Sequence, residues 1–106
     1  MSEWVRVAGA GDVAEGEVTS YMVGSRVVAV ANVEGDLYAV DDTCTHQGCS
    51  LAEGDLVGTI LECPCHGGQY DVMTGEVTGG PPPEPVDIFE VAEVDGELRI
   101  RTRDDD

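Results

Sequence analysis

Apolar and polar side chains alternate along this chain in short runs and never settle into the spacing of an amphipathic helix, so strands are predicted throughout. Trp4 to Val7 begin the pattern and Glu17 to Val23 continue it. Arg26 to Val33 and Leu37 to Val40 flank the turn residues Glu34-Gly35-Asp36, and Asp87 to Val94 and Glu97 to Thr102 flank Asp95-Gly96. Each of these two pairs reads as a β-hairpin. Shorter strands are predicted at Gly58 to Glu62, at Gln69 to Val72 and, after a turn at Thr74-Gly75, at Glu76 to Thr78. Proline offers no backbone donor, so Gly79-Gly80-Pro81-Pro82-Pro83-Glu84-Pro85 is expected to be an extended loop. Asp104-Asp105-Asp106 reads as a frayed tail. The expectation is one all-β domain over residues 1–106, with an antiparallel β-sandwich base made from both chain ends and a subdomain inserted at about residues 41–86. Trp4 and Phe89 are expected in the core, and Asp41, Asp42 and Glu62 as solvated loop charges.

Charge narrows the partners. The chain carries 22 Asp and Glu against five arginines, for a formal charge of −17 and a pI near 4.1. Such a surface repels nucleic-acid phosphates and anionic lipid and favours encounter with a basic protein surface. The same acidity also serves solubility, and screening limits its reach to about 8 Å in physiological salt. The N-terminal stretch has no basic region followed by an apolar one, and no run approaches the ~18 apolar residues of a membrane helix. A cytoplasmic protein with no membrane or nucleic-acid partner is therefore expected.

The inserted segment holds all four cysteines and both histidines. They fall in two groups, Cys44-Thr45-His46-Gln47-Gly48-Cys49 and Cys63-Pro64-Cys65-His66-Gly67-Gly68, each offering a thiolate and an imidazole at close spacing. A structural zinc site uses the same ligand types, but zinc fingers group their cysteines together and their histidines together, whereas here the two kinds alternate. Cys63-Pro64-Cys65 also allows a thiol-exchange reading, which would want a helix N-terminus that is not predicted nearby. A binuclear iron cluster needs two protein ligands per iron, and one thiolate with one imidazole per loop supplies two sulfurs and two nitrogens.

Both groups resemble, residue by residue, the two-part motif of Rieske [2Fe–2S] proteins, and Ser50-Leu51, Gly58, Gln69-Tyr70-Asp71 and Thr74-Gly75 resemble its flanks. The resemblance covers residues 41–86 and implies a Rieske fold carrying one [2Fe–2S] cluster. Cys44 and Cys63 would ligate one iron, and His46 and His66 the other. It implies a disulfide between Cys49 and Cys65, as in the branch exemplified by cytochrome bc complexes, a pair that many ring-hydroxylating dioxygenase ferredoxins lack. In the high-potential branch a serine after His-Gly donates to a bridging sulfide; this chain has Gly68 there, while Tyr70 keeps the position of a tyrosine that bonds a ligand sulfur. Losing one donor places the expected potential between the two branches. The proline segment, with Pro82, resembles the loop that covers Rieske clusters. The function implied is one-electron transfer between a reductase and a terminal oxidoreductase, with no catalysis by the chain alone. Two other readings are a small Rieske subunit of a nitrite-reductase-like or arsenite-oxidase-like complex, and a zinc-stabilised interaction module.

Overall fold

The computed structural model describes residues 4–9, 11–24, 26–43, 49–64, 68–79 and 85–101. Their strands are β1 (Trp4–Gly9), β2 (Val18–Val23), β3 (Arg26–Val33), β4 (Asp36–Asp41), β5 (Asp55–Val57), β6 (Ile60–Glu62), β7 (Gln69–Asp71), β8 (Val77–Gly79), β9 (Ile88–Phe89), β10 (Val91–Val94) and β11 (Glu97–Arg101). They form three antiparallel sheets with orders β1-β11-β10, β2-β3-β4-β9 and β5-β6-β7-β8.

The middle sheet is buried on both faces, and β3 shows how its sequence permits this. Successive side chains on a strand point to opposite faces. Val28 and Val30 meet Val23, Ala39, Phe89, Leu98 and Ile100 in one core, against the sheet of the chain ends. Ala29 and Ala31 face the other way, into a second core with Val40, Leu51, Leu61, Cys63, Tyr70, Val72 and Val86. Small residues on that face leave room for the larger side chains from the β5–β8 sheet. The expected sandwich base is present, and the segment inserted into it supplies a third layer.

Both expected hairpins form. Their turns are two residues long, with positive φ at Glu34 (53°) and Gly35 (96°) and at Asp95 (53°) and Gly96 (76°). That double left-handed geometry matches the twist of the flanking strands, and it leaves Asp36 in β4 instead of the turn. Other boundaries shift by a residue or two: β1 runs on to Gly9, β6 begins at Ile60, β7 stops at Asp71, and β8 takes in Gly79.

Three expectations are corrected. The single strand expected from Asp87 to Val94 is two, because β9 pairs with β4 in the middle sheet and β10 with β11, the chain changing sheets at Glu90. β5 and a 3₁₀ turn at Leu51–Glu53 were not predicted, each being too short to show a period. Trp4 is exposed and not in the core, since it sits at the end of the edge strand β1 opposite Arg101. Phe89 is buried as expected. Thr102, the acidic tail and residues 80–84 lie outside the described residues.

The inserted segment leaves the middle sheet at Asp41 and returns at Asp87, and this neck is tied. The Asp41 N–H donates to the Asp87 carbonyl at 2.8 Å. The Arg26 guanidinium donates to Asp41 Oδ2 at 2.6 Å and Asp87 Oδ2 at 2.8 Å, and lies 5.4 Å from the Phe89 ring centre. Asp41 is therefore a half-buried ion-pair partner and not a solvated loop charge. The Thr74-Gly75 turn closes the far end of the segment. Gly75 has φ 81°, its carbonyl accepts from the Val86 N–H at 2.9 Å, and a Cβ there would lie 2.2 Å from the Val86 carbonyl oxygen.

Arg26→Gln is expected to cost about 1–2 kcal/mol in urea unfolding, with most of the loss already present in Asp41→Asn, because these are charge-assisted bonds at a partly exposed site. Gly75→Ala is expected to cost about 2–4 kcal/mol, against about 1 kcal/mol for Gly24→Ala, which shares a positive φ but has open space around it.

Candidate metal centre

Two chain reversals rise from the second core toward one another, and each is closed at its root by hydrogen bonds. The first follows β4. The Thr43 N–H turns back to Asp41 Oδ1 at 2.9 Å, and Thr43 bridges Ser50 in antiparallel fashion. Asp42 organises that closure. Its N–H donates to the Val27 carbonyl of β3 at 3.0 Å, and its own carbonyl accepts from the Leu51 N–H at 2.7 Å. Its carboxylate accepts from the Ser50 hydroxyl at 2.7 Å and from the Ala52 N–H at 2.8 Å. The first N–H groups of a helical turn lack partners within the turn. Here Asp42 satisfies two of them from outside, while the Ser50 hydroxyl turns to Asp42 and makes no cap bond of its own.

Asp42 is 5% exposed. The expectation of a solvated charge is thus wrong for it, and the reason is the set of donors that the loop and the 3₁₀ turn aim at it. Glu62 is half-buried and accepts from Gln69 Nε2 at 3.2 Å across the β6–β7 pair, so it is not a free loop charge either.

The second reversal joins β6 to β7. The Cys63 N–H donates to the Gly68 carbonyl at 2.7 Å, which ties the two ends of the reversal together. Gly68 is buried. Cys63 is 2% exposed, in the same core as the fully buried Tyr70. The two reversals meet at Gly54. A Cβ there would lie 1.8 Å from the Glu62 carbonyl oxygen and 3.2 Å from Pro64 Cδ, so only glycine lets the end of the 3₁₀ turn lie against the root of the second loop.

Of the expected ligands, Cys63 is described, whereas Cys44, His46 and His66 lie outside the described residues. Cys49 is half-buried against the second core, and Cys65 and Pro82 lie outside the described residues. Pro85 is exposed beside the buried Val86 that pairs with Gly75. Asp42 and Gly54 escaped the sequence reading. A lone acid and a lone glycine carry no pattern, and only the spacing of Asp42 just before Cys44 hinted at a part in the loop.

A buried cysteine at the root of one loop, with the end of the 3₁₀ turn packed against that root, suits an iron–sulfur cluster. The alternating sulfur and nitrogen donors of the two loops suit the mixed ligation of a Rieske centre.

Comparison with known proteins agrees. The Rieske [2Fe-2S] domain family matches residues 3–90. Ferredoxin CarAc of Metapseudomonas resinovorans is 40% identical over 98 residues, 92% of each chain. The ferredoxin component of the naphthalene 1,2-dioxygenase system of Pseudomonas putida is 34% identical over 89 residues, covering 84% of this chain and 86% of its own. A solved complex of reduced oxygenase and oxidised ferredoxin in carbazole 1,9a-dioxygenase contains a chain that superposes with a TM-score of 0.86 at 40% identity, over 92% of this chain and 91% of that one. Fold, loop geometry and kinship converge: this chain belongs to the Rieske [2Fe-2S] domain family and is of the ferredoxin kind.

Proposed function

We propose that this protein is the electron-carrying ferredoxin of a dioxygenase-type system, taking one electron from a reductase and passing it to a terminal oxygenase. The observation that supports the reading is the packing of buried Cys63, at the root of one motif loop, in one core with Cys49 and Leu51, which follow the other. The kinship with ferredoxin components of dioxygenase systems, over most of the length of both chains, supports the partners. The chain is the carrier of such a system, as its relatives are, and the chemistry on substrate belongs to the oxygenase. Among the described residues no helix is long and apolar enough to cross a membrane, and a cytoplasmic setting fits the redox partners proposed.

One [2Fe–2S] cluster is assigned to Cys44 and Cys63 on one iron and His46 and His66 on the other, in a cluster-binding subdomain of about residues 41–86 within one domain. Bound there, it supplies a one-electron couple of higher potential than an all-cysteine cluster, because neutral imidazoles replace two thiolates. The protein's own part is preorganisation. Cys63 is held by a backbone bond and by core packing, so its sulfur has little freedom to move on a change of charge. Tyr70, rigid in the same core, is assigned the hydrogen bond to a ligand sulfur, and Gly68 leaves the neighbouring donor position without a hydroxyl. The segment with Pro82 is assigned the cover over the cluster. A disulfide between Cys49 and Cys65 is assigned on the resemblance of the two loops to the disulfide-bearing motif; it would tie the two loops together and constrain the unfolded chain by about 2–4 kcal/mol.

The test is an absorption and EPR spectrum of the isolated and dithionite-reduced protein, with iron and acid-labile sulfide assayed on the same sample. Two irons and two sulfides per chain, with a reduced signal of low average g, are expected; a colourless protein holding one zinc overturns the reading. His46→Cys or His66→Cys is expected to alter the signal or abolish the cluster. Tyr70→Phe is expected to retain the cluster and lower its midpoint potential by roughly 40 mV, the one-electron equivalent of a hydrogen bond of about 1 kcal/mol.

A further inference from the structure

We infer that Asp42 is a positioning residue for the cluster, whose buried carboxylate fixes the loop bearing Cys44 and His46 and biases the centre toward its oxidised state. The inference rests on the ligand assignment proposed above and adds a residue that the motif does not contain.

Three observations carry it. Asp42 joins parts of the molecule that must keep register: its N–H is bonded to Val27 of the central strand, and its carbonyl and carboxylate to Ser50, Leu51 and Ala52 at the far end of the ligand loop. Both carboxylate oxygens are used as acceptors, one from a hydroxyl and one from a backbone N–H. An asparagine there would turn an amide N–H₂ toward one of these donors. Finally, the group is buried, and none of the ion pairs among the described residues includes it, Arg26 being engaged by Asp41 and Asp87.

The physical consequence has two parts. Fixing both ends of a short loop reduces the number of conformations from which its side chains must be gathered, so the ligands on it are held near their working positions before and after electron transfer. A buried carboxylate that belongs to none of the ion pairs among the described residues, two residues from a ligand, also acts on the charge of the centre through a lower dielectric than a surface acid would. One-electron reduction adds negative charge, so this anion opposes it, and its removal eases it.

The two parts separate in two variants of the holoprotein. Asp42→Asn removes the charge and breaks the donor match. It is expected to move the midpoint potential in voltammetry to a more positive value and to shorten the lifetime of the visible absorption. Ser50→Ala keeps the charge and removes one bond. It is expected to leave the midpoint where it was while the cluster is lost roughly fivefold faster in a chelator challenge. Wild-type midpoint and EPR signal in Asp42→Asn overturn the electrostatic part, and a wild-type cluster lifetime in Ser50→Ala overturns the positioning part even where Asp42→Asn fails to fold. Absence of iron and sulfide from the unaltered protein overturns the ligand assignment instead.

Discussion

The double burial of the middle sheet is the constraint from which the rest follows. A sheet with one wet face could have carried the same hairpins, but the segment between Asp41 and Asp87 would then have had nothing to pack on. Because β3 places Val28 and Val30 on one face and Ala29 and Ala31 on the other, it supports two cores of unlike depth. The shallow face accepts Leu51, Leu61, Cys63 and Tyr70, and it is these residues that set where the loops begin. Filling that face from the β3 side would push the β5–β8 sheet outward and carry the root of the second loop with it, since interiors are close-packed and transmit such strain. Two alanines thus share a core with the candidate ligand Cys63, a contact that no rule of sequence reveals.

What could be seen in the sequence was whatever is encoded by neighbours along the chain. The Glu34-Gly35 and Asp95-Gly96 turns lie in their own residues' conformational preferences, and the loop motif lies in fixed covalent spacing. What could not be seen depended on partners far off. Glu90 is an unremarkable position in an alternating run, and only competition between β4 and β11 for the two halves of that run divides it. Asp42 and its neighbour Asp41 look alike in sequence, yet one is turned inward by donors from residues 50–52 and the other is paired with Arg26 at the neck. Trp4 has the composition of a core residue, but an edge position at a strand end leaves it exposed.

The second cysteine of each loop poses a question of lineage. Their presence pointed toward the branch exemplified by cytochrome bc complexes, whereas the relatives found over nearly the whole chain are ferredoxins of dioxygenase systems. The two observations are compatible because the proposed disulfide would be a local device and not a mark of kinship. The first loop is already closed by Asp42 and the Thr43–Ser50 bridge, and the second by the Cys63–Gly68 bond. A covalent tie between loops closed in this way has little left to organise within either one. Its effect falls on their separation, which Gly54 otherwise sets by contact alone.

Acidity enters through the same geometry. A formal charge of −17 is large for 106 residues, and acids that face solvent are screened by salt while they serve solubility and favour encounter with a basic surface. Among the described acidic side chains Asp42 is the buried one, so solvent screens it less and it has more influence on the centre than its share of the net charge suggests. Surface acids therefore govern how fast partners meet, and the buried one governs what the electron finds on arrival. The two functions are served by the same residue type at different depths, which is why composition alone reports the first and only the folded loop reveals the second.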